Sequence, residues 1–337
     1  MIRTAIIGAS GYTGLELLKL LARHPHAQIS ALVSRQTERT PISTVHPSLT
    51  GVIDLPLENL TPVQIAERAE CVFSCLPHAA SAEMCAQLLP LGVKVIDLSA
   101  DYRLRDADVY QQWYAHKHPD PTRLKTAVYG LPELYREQIR GATLVANPGC
   151  YPTSAALALA PLLKAGMIAP EPIVIDSKSG VSGAGRDPKP HLHYPEANEN
   201  FSAYGVGSHR HMPEIDQTLS DFSPQPVAVV FTPHLVPMTR GILSTCYAEP
   251  TRDVSTDELN ATLRKFYEHE PFVHVTDQLP TVRDVAYTNR CHLAARRVRG
   301  HVLVVSVIDN LIKGAAGAAV QNFNLLYGWP ETTALSP

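Results

Sequence analysis

Arg3-Thr4-Ala5-Ile6-Ile7-Gly8-Ala9-Ser10-Gly11-Tyr12-Thr13-Gly14 lies close to the N-terminus and decides the fold class of its half of the chain. The apolar run at residues 3–7 predicts a buried strand, and the three glycines after it predict a tight turn. Residues 14–23 carry leucines at helical spacing, and His24-Pro25 ends that helix. With a second strand expected at 29–33, the pattern is a βαβ unit, so we predict a Rossmann-like first half.

The pattern of strands changes in the second half of the chain. Short apolar strands are expected at 71–76, 93–97 and 143–146, and longer strands are expected at 173–178, 227–232 and 242–248. Arg299-Gly300 lies between two apolar runs like a hairpin turn, which favours a mixed or antiparallel second sheet. The Ala-rich segment 315–327 predicts a final helix. The predicted fold class is therefore α/β, with a Rossmann-like domain followed by an α+β domain.

The composition is that of an ordinary soluble globular protein, with 337 residues, 45% hydrophobic, 18% charged and a formal net charge of −3. A chain of this length exceeds the usual size of one hydrophobic core, which favours two domains. The small net charge predicts no general attraction to nucleic acid or to anionic membranes. The N-terminal apolar run is too short for a signal peptide or a membrane span, so we expect a cytoplasmic protein.

Six cysteines are spread along the chain, without CxxC pairs or the density of a disulfide scaffold, and we expect reduced thiols. One of them stands in Asn147-Pro148-Gly149-Cys150-Tyr151-Pro152-Thr153, between an apolar strand and an Ala- and Leu-rich helix predicted at 154–164. A helix N-terminus favours the thiolate form of a cysteine, and the prolines and glycine stiffen the turn. Cys150 is therefore a candidate nucleophile, and the alternative is a small buried cysteine in a turn.

Strand, glycine turn and helix follow one another in the order that a phosphate-binding turn requires. Glycines let pyrophosphate approach the backbone, and the N–H groups of a helix N-terminus stabilise its charge. The spacing is GxxGxxG, which matches the GxGxxG fingerprint only in part, and the alternative is a turn without a ligand. The candidate cofactor-binding residues in this turn are Gly8, Ser10, Gly11, Tyr12, Thr13 and Gly14.

The end of the second strand predicts which nicotinamide nucleotide is bound. An acidic residue there would hold the ribose 2′-hydroxyl of NAD, but Ser34 and Arg35 follow the strand instead. An arginine beside a hydroxyl accommodates a 2′-phosphate, so we predict NADP(H) as the cofactor. The alternative is that Arg35 is only a solvated loop residue.

A nucleophilic thiolate needs a partner that moves protons, and the segment His209-Arg210-His211-Met212-Pro213-Glu214 offers two histidines. Pro213 favours a helix start, which leaves His211 at the edge of that helix. The spacing alone leaves both His209 and His211 open as the base. Together with His191 and His193 they also suggest a zinc site, but no carboxylate or cysteine ligand spacing supports one, so no metal is predicted.

These motifs occur together in one family. The chain resembles N-acetyl-γ-glutamyl-phosphate reductases over nearly its whole length. The motifs that carry the resemblance are the glycine turn at 8–14, Ser99-Ala100-Asp101-Tyr102-Arg103, the segment around Cys150, the Gly- and Ser-rich segment 179–186 and the segment 209–214. The resemblance implies an NADP-binding domain at 1–148 and 314–337. It also implies a catalytic and oligomerisation domain at 149–313, like that of aspartate-semialdehyde dehydrogenases. A homodimer or homotetramer is implied, although no feature of the sequence identifies the interface.

The same resemblance implies roles for individual residues. Cys150 matches the nucleophile and His211 the proposed base in an NADPH-dependent reduction of N-acetyl-γ-glutamyl phosphate, through a thioester, in arginine biosynthesis. The implied substrate and phosphate contacts are Ser99, Arg103 and His209. Arg186 and Arg240 are alternatives for the phosphate, and each arginine can equally be a structural ion-pair partner.

The glycine- and serine-rich loop has a separate implied role. The resemblance places Ser179, Gly180 and Gly183 at the nicotinamide side of the site. The alternative is a flexible connection between elements of the sheet.

Two rival functions stay open at the level of sequence. One is a reductase of another acyl phosphate, either aspartyl phosphate or the acyl phosphate of a carrier-bound lysine precursor. The first of these usually places its cysteine in an Asn-Cys-Ser/Thr setting, which differs from the surroundings of Cys150. The other rival is an NADP-binding regulatory protein without chemistry, whose expected signature is a lost nucleophile.

Overall fold

The computed structural model describes residues 1–34 and 39–335. The chain divides into two compact units, Met1–Pro148 with Ala315–Pro337, and Gly149–Gly314. The first unit contains a mainly parallel sheet and the second a mixed sheet. The predicted fold class, a Rossmann-like domain plus an α+β domain, is confirmed.

The first unit is built on one large sheet. Its described strands are β1 (Ile2–Ile7), β2 (Ala27–Val33), β3 (Thr40–Pro41), β4 (Pro56–Glu58), β5 (Cys71–Ser74), β6 (Lys94–Asp97), β7 (Val128–Tyr129) and β8 (Leu144–Ala146). They lie in the order β3-β4-β2-β1-β5-β6-β8-β7, and the neighbours pair in parallel except for β3 with β4. Ala5, Ile6 and Ile7 are at most 2% exposed, because a central parallel strand is covered on both faces.

Helices connect these strands. They are α1 (Tyr12–Ala22), α2 (Ile42–Val45), α3 (Pro62–Arg68), α4 (Ala80–Leu88), α5 (Ala107–Tyr114) and α6 (Pro132–Arg140). α1 begins two residues before the predicted residue 14, because the extended Gly11 already acts as its cap. It ends just before His24-Pro25, as predicted, and buries Leu17, Leu18 and Leu21. The predicted βαβ unit is confirmed.

The second unit contains a mixed sheet. Its described strands are β9 (Ile168–Gly180), β10 (Ser202–Ala203), β11 (Val229–Val236), β12 (Ile242–Pro250), β13 (Val273–Val275), β14 (Cys291–Val298) and β15 (His301–Ile308). The order is β10-β11-β9-β12-β15-β14-β13, with β9 parallel to β11, β13 parallel to β14 and the other neighbours antiparallel. Arg299 and Gly300 both have positive φ in the turn between β14 and β15, which confirms the predicted hairpin.

The helices of this unit lie on one face of the sheet or in its connections. They are α7 (Cys150–Lys164), α8 (Tyr194–Ala197), α9 (Met212–Ser220) and α10 (Thr256–Phe266). α7 begins four residues before the predicted residue 154, because Pro152 falls in its first turn, where a missing N–H costs nothing. Residues 151–163 of α7 are all buried, which explains why this helix is rich in alanine and leucine.

The last described helix belongs to the first unit. A π-helical turn, Ile312–Ala316, leads into α11 (Gly317–Leu326), which packs against α1 and α6. This matches the helix predicted over 315–327. Its polar residue Asn322 is fully buried, and the side-chain amide donates to the Gly130 carbonyl at 2.8 Å and to Asn147 Oδ1 at 3.1 Å. α11 thereby holds the segment that follows β8.

Candidate active site

Cys150 is the first residue of α7. Gly149 before it is extended and acts as the cap, without a side chain that could accept from the first N–H groups of the helix. The Thr153 hydroxyl and backbone N–H both donate to the Gly149 carbonyl, at 2.9 and 3.0 Å. Cys150 is partly exposed. The predicted position of this thiol at a helix N-terminus is confirmed, and such a position favours a thiolate.

Other cysteines lie in very different surroundings. Cys71 and Cys246 are fully buried, and burial raises the pKa of each thiol to about 12. Such thiols stay protonated at neutral pH and fill space in the core. Their surroundings leave Cys150 as the better nucleophile.

A buried carboxylate joins α9 to the turn that presents Cys150. Glu214 is 1% exposed, and its Oε1 accepts the N–H of Gly149 at 2.8 Å. Glu214 lies in the first turn of α9, and His211 is the residue immediately before that helix, where its carbonyl accepts from Ile215 N–H. The prediction that Pro213 starts a helix with His211 at its edge is confirmed. Glu214 therefore brings the His-Arg-His segment next to the turn that presents Cys150.

The two histidines of this segment differ in their surroundings. His209 lies among the rings of Tyr151, Tyr204 and Phe231, at centroid distances of 5.4–5.5 Å. Burial, with a smaller effect of the Arg210 charge, lowers the pKa of His209 to about 4. Its Nδ1 accepts the backbone N–H of His211 at 3.1 Å, which leaves the proton of the neutral ring on Nε2. His209 is therefore a neutral group at pH 7 that holds the backbone of His211.

Gly314 packs directly against Cys150, a feature that the sequence analysis missed. A Cβ atom at position 314 would lie 2.6 Å from Cys150 Cβ, which no pair of carbon atoms tolerates. The N–H of Gly314 donates to the Asp309 carbonyl at 2.9 Å. The available signal was a glycine inside the run Leu311-Ile312-Lys313-Gly314-Ala315, where a helix would otherwise favour alanine.

The loop that contains Ser179, Gly180 and Gly183 is held by backbone hydrogen bonds. The N–H groups of Gly180, Val181 and Ser182 donate to the carbonyls of Gly241, Met238 and Thr239, at 2.9–3.0 Å. A Cβ atom at Gly180 would lie 2.6 Å from the backbone nitrogen of Arg240, and one at Gly183 would lie 3.0 Å from Ser179 Oγ. Glycine at position 180 therefore permits a close approach of two chain segments, and the loop is not a loose connection.

Two of the three candidate arginines for phosphate lie in the second unit, with contrasting exposure. Arg186 is exposed. Arg240 is 11% exposed, pairs with the fully buried Asp309 at 3.3 Å and lies 4.2 Å above the centre of the Tyr287 ring. Arg240 is thus held in place by its neighbours, and the phosphate role of either arginine stays a prediction.

Ser99 and Arg103 lie in the first unit, next to the ends of β6 and β8. The Ser99 hydroxyl donates to Asp97 at 2.8 Å, and the same carboxylate accepts the Ser99 N–H at 3.0 Å. Arg103 is 8% exposed, and it donates to the carbonyls of Asn147 and Leu98 at 2.8 and 3.0 Å. Both side chains thus stabilise the local backbone, and their phosphate role stays a prediction.

The glycine turn of the first unit has the shape of a nucleotide-binding turn. Gly8 has φ of +80°, and a Cβ atom there would lie 2.6 Å from the Cys75 carbonyl oxygen. At Gly14 a Cβ atom would lie 2.8 Å from the backbone of Ala9. At Gly11, the cap of α1, the nearest atom would be Gly8 O at 3.9 Å, so the protein itself leaves that position open. An uncapped helix N-terminus beside open space fits a pyrophosphate.

The end of β2 carries no available carboxylate in the described residues. Ser34 follows the strand, and its N–H donates to the Glu58 carbonyl at 2.9 Å. Glu58 is aligned with Val33 at the end of the neighbouring strand, but its carboxylate pairs with Arg39 at 3.1 Å and with Arg68 at 2.8 Å. Arg35, predicted to contact a 2′-phosphate, lies outside the described residues.

The described residues contain neither a candidate metal site nor a candidate membrane-spanning helix. Over 1–34 and 39–335, no group of three or more His, Cys, Asp or Glu side chains is arranged to hold a metal ion. Within the same residues, no helix combines the length and the apolar character needed to cross a membrane.

Comparison with known proteins identifies the family. The semialdehyde dehydrogenase NAD binding domain matches residues 3–142, and the semialdehyde dehydrogenase dimerisation domain matches residues 150–310. N-acetyl-gamma-glutamyl-phosphate reductase from Moorella thermoacetica is 52% identical over 99% of this chain and 98% of its own length. The protein of the same name from Rhodopirellula baltica is 49% identical over the same shares.

Solved structures agree with this assignment at the level of the fold. Aspartate semialdehyde dehydrogenase II from Vibrio cholerae has a TM-score of 0.73 at 18% identity, over 97% of this chain and 98% of its own. Aspartate semialdehyde dehydrogenase from Candida albicans, solved with NADP, has a TM-score of 0.71 at 18% identity, over the same shares. The chain therefore belongs to the N-acetyl-γ-glutamyl-phosphate reductase family, oxidoreductases with a semialdehyde dehydrogenase fold and a domain for a nicotinamide nucleotide.

Proposed function

We propose that this protein reduces N-acetyl-γ-glutamyl phosphate to N-acetylglutamate 5-semialdehyde, with release of phosphate and consumption of NADPH, in arginine biosynthesis. The observation that carries the proposal is the hydrogen bond from Gly149 to Glu214, which joins the start of α7, with Cys150, to the start of α9, with His211. A thiol at a helix N-terminus beside an imidazole is the arrangement that acyl transfer to sulfur requires. The names of the relatives supply the substrate.

The proposed reaction uses Cys150 twice. The thiolate attacks the γ-carbonyl carbon, the bond from that carbon to the phosphate oxygen breaks, and phosphate leaves with the electron pair. A thioester remains on Cys150, and it accepts hydride more readily than a carboxylate does. Addition of hydride gives a thiohemiacetal, and its collapse releases the aldehyde and restores the thiolate. The balance is acyl phosphate, NADPH and one proton giving aldehyde, NADP⁺ and phosphate.

We assign the proton traffic to His211 rather than His209. The imidazole of His211 takes the thiol proton before attack and stabilises sulfur when the thiohemiacetal collapses. His209 is less suited to this role, because burial lowers its pKa to about 4 and its Nδ1 already accepts from His211 N–H. We assign His209 to the substrate side of the site and to holding His211.

The glycine turn and the loop at Ser179 are the proposed cofactor contacts. The pyrophosphate would lie against the glycine turn, at Gly8, Gly11 and Gly14. The N–H groups at the start of α1, near Ser10, Tyr12 and Thr13, would stabilise its charge. Ser179, Gly180 and Gly183 are proposed to contact the nicotinamide. When bound, the cofactor supplies the hydride.

We propose NADP(H) over NAD(H), with Ser34 and Arg35 as contacts of the 2′-phosphate. Glu58 is the carboxylate next to the end of β2, but two arginines already pair with it, so it is poorly placed to accept from a ribose hydroxyl. Arg39 and Arg68 add positive charge at the same edge of the sheet. This charge favours a phosphate over a hydroxyl.

Phosphate is proposed to leave toward Arg103 and Ser99, and the domain roles follow from the same assignment. Residues 1–148 and 314–337 would bind the cofactor, and residues 149–313 would carry catalysis and oligomerisation. The proposed location is the cytoplasm, an expectation that rests on the sequence alone.

We propose a homodimer formed through the open face of the second sheet. Val230, Val174 and Tyr247 lie directly opposite one another on β11, β9 and β12, and they are 60%, 36% and 41% exposed. A contiguous apolar row on a sheet face is typical of an interface, and the matched dimerisation domain spans these strands. Val174→Lys should therefore shift the sedimentation coefficient to that of a monomer. An unchanged coefficient would place the interface elsewhere.

Phosphate-dependent reduction of NADP⁺ in the reverse direction tests the proposed function. Purified protein is assayed with N-acetylglutamate semialdehyde, with aspartate semialdehyde and, for the first aldehyde, with Cys150→Ala. Activity with the first aldehyde alone, lost in the variant, supports both the reaction and its nucleophile. Activity with aspartate semialdehyde favours the rival acyl phosphate, and activity with neither favours a carrier-linked substrate or a regulatory protein.

A further inference from the structure

Arg240 is positioned by two neighbours in a way that a surface arginine is not. Nη1 lies 3.3 Å from Asp309 Oδ2, and the guanidinium carbon lies 4.2 Å from the centre of the Tyr287 ring. The 3.3 Å distance to Asp309 is longer than the about 2.7–2.9 Å of a typical charge-assisted hydrogen bond. The ring covers one face of the guanidinium and fixes its plane.

Asp309 is committed to the backbone more strongly than to Arg240. Its Oδ1 accepts the N–H groups of Leu311 and Ile312 at 2.9 and 3.0 Å, and its Oδ2 accepts the N–H of Tyr287 at 2.7 Å. These donors stabilise the buried charge without the arginine. Asp309 therefore orients the guanidinium, but the charge of Asp309 is stabilised without it. The guanidinium can also bind a second carboxylate.

Tyr287 adopts a backbone conformation that only an external constraint explains. Its φ is +66°, a conformation that bulky residues rarely adopt, and the residue is nevertheless 71% exposed. The hydrogen bond from its N–H to Asp309 holds this conformation. The result is a ring placed against Arg240, which burial of the ring itself cannot explain.

Within the second unit, a chain of contacts connects Arg240 to Cys150. Gly314, which packs against Cys150 Cβ, is bonded through its N–H to the carbonyl of Asp309, the residue whose carboxylate orients Arg240. Arg240 also packs with its backbone against Gly180. Asp309 thus links the residue that packs against Cys150 to the guanidinium of Arg240.

An uncharged cavity is lined in part by Thr239, the residue before Arg240. It has a volume of about 180 Å³, and Val181, Tyr194, Ala197, Asn198 and Thr239 are among the residues that line it. None of the described residues around it carries a charge. Asn198 and Thr239 offer an amide and a hydroxyl beside apolar walls, which suits a neutral group with one methyl and one peptide-like amide.

We propose that Arg240 binds the α-carboxylate of the substrate and that the cavity lined in part by Thr239 takes the acylamino group on the same carbon. The inference rests on the proposed function, because that substrate carries both groups on one atom, and subsites for groups on one atom must be neighbours. Arg240 and Thr239 are adjacent in the chain. Tyr287 acts as a positioning residue for Arg240.

The test compares two aldehydes that differ only in the α-carboxylate. N-acetylglutamate semialdehyde and 4-acetamidobutanal are oxidised by the wild type, Arg240→Gln and Arg240→Lys at saturating NADP⁺ and phosphate. We expect Arg240→Gln to lower kcat/KM for the first aldehyde about 30-fold more than for the second, the value of a charge-assisted hydrogen bond. The loss should appear mainly in KM, and Arg240→Lys should recover part of the selectivity. Thermal unfolding of each variant checks the fold.

Other outcomes overturn the inference in distinct ways. Equal losses with both aldehydes remove the carboxylate role of Arg240. A raised KM for phosphate with both aldehydes assigns Arg240 to phosphate instead. If the wild type does not oxidise N-acetylglutamate semialdehyde, it is the proposed function that fails.

Two further variants test the positioning residue and the cavity. Tyr287→Asn keeps a residue that tolerates positive φ but removes the ring, and it should lower the selectivity for the carboxylate about threefold to tenfold. Tyr287→Phe retains the ring and should keep the selectivity. Ala197→Trp fills the cavity, and it should impair N-acetylglutamate semialdehyde more than 5-oxopentanoate, which lacks the acylamino group. The same loss with both compounds would contradict the cavity assignment.

Discussion

Two helices of this protein begin at a glycine that offers no capping side chain, and their surroundings differ. α1 follows Gly11, where an added Cβ atom would meet nothing closer than 3.9 Å. α7 follows Gly149, whose N–H is bonded to the buried Glu214, while Gly314 packs against the first residue of the helix. The same local device, an uncapped helix N-terminus, is left open in one unit and enclosed in the other.

The difference separates two uses of the helix dipole. An open N-terminus receives a charged ligand that binds and leaves, so nothing in the protein occupies the space beside Gly11. An enclosed N-terminus serves a permanent residue, so the neighbours of Cys150 fix where its sulfur lies. Substitutions at the enclosed helix should therefore damage turnover and stability, and substitutions at the open one should affect cofactor affinity.

The largest effect is expected from Gly314→Ala at the enclosed helix. The added methyl would lie 2.6 Å from Cys150 Cβ, so either Cys150 or the π-helical turn must move. A displacement of about 1 Å at a reacting atom can cost 100-fold, and we expect a loss in kcat of that order. Steady-state kinetics measure it. Gly141→Ala is the matched control, because a Cβ atom there meets nothing within 4 Å, and similar kcat values for both variants would show that Gly314 does not position Cys150.

The next effect concerns Glu214, which connects α9 to the cap of α7. Glu214→Ala leaves the buried N–H of Gly149 without its acceptor, and we expect the free energy of unfolding to fall by about 2 kcal/mol. Glu214→Gln keeps an oxygen at the same place and should lose less. Urea denaturation of the three proteins gives the values. If Glu214→Ala proved as stable as the wild type, the enclosed helix start would not depend on this bond.

A smaller effect is expected from the pH dependence of His209. Its pKa is lowered to about 4 in the folded protein, below the value near 6.5 expected when unfolded, so its neutral form stabilises the fold above pH 6.5. That contribution is lost as the pH falls toward 4. Between pH 7 and pH 5 the wild type should lose about 1.5 kcal/mol relative to His209→Gln. Urea denaturation at both pH values tests this, and a difference that does not change with pH would falsify the assignment of a buried neutral ring.

Local signals in the sequence were sufficient to predict the fold class and the position of Cys150 at the start of a helix. The βαβ unit, the hairpin at Arg299-Gly300 and the position of Cys150 at a helix start all follow from periodicity, glycines and prolines within a few residues of one another. α7 was predicted to start at residue 154, but it begins at Cys150, because proline is accepted in a first turn.

The parts that the sequence did not reveal depend on contacts between distant segments. Gly314 and Cys150 are 164 positions apart in the chain but pack against each other. Asp309 contacts Tyr287 and Arg240, which lie in two different connecting segments. Glu214 was visible within its motif, but its bond to Gly149 is set by the packing of α9 on α7. No pattern of spacing encodes such pairs, because their geometry arises only when the second sheet forms.

The smallest effect should come from Gly11→Ser at the open helix. Gly11 has φ of −79° and ψ of 171°, which serine adopts without strain, and serine is a better cap than glycine by a few tenths of a kcal/mol. Stability should therefore stay the same or rise slightly, while the new side chain occupies the space proposed for pyrophosphate. We expect NADPH affinity, measured by fluorescence titration, to fall about tenfold, the cost of losing one good contact with a charged group. Gly141→Ala again serves as the control. Unchanged affinity together with unchanged stability would mean that the space beside Gly11 is not where the cofactor binds, and the contrast between the two helix starts would then lose its functional meaning.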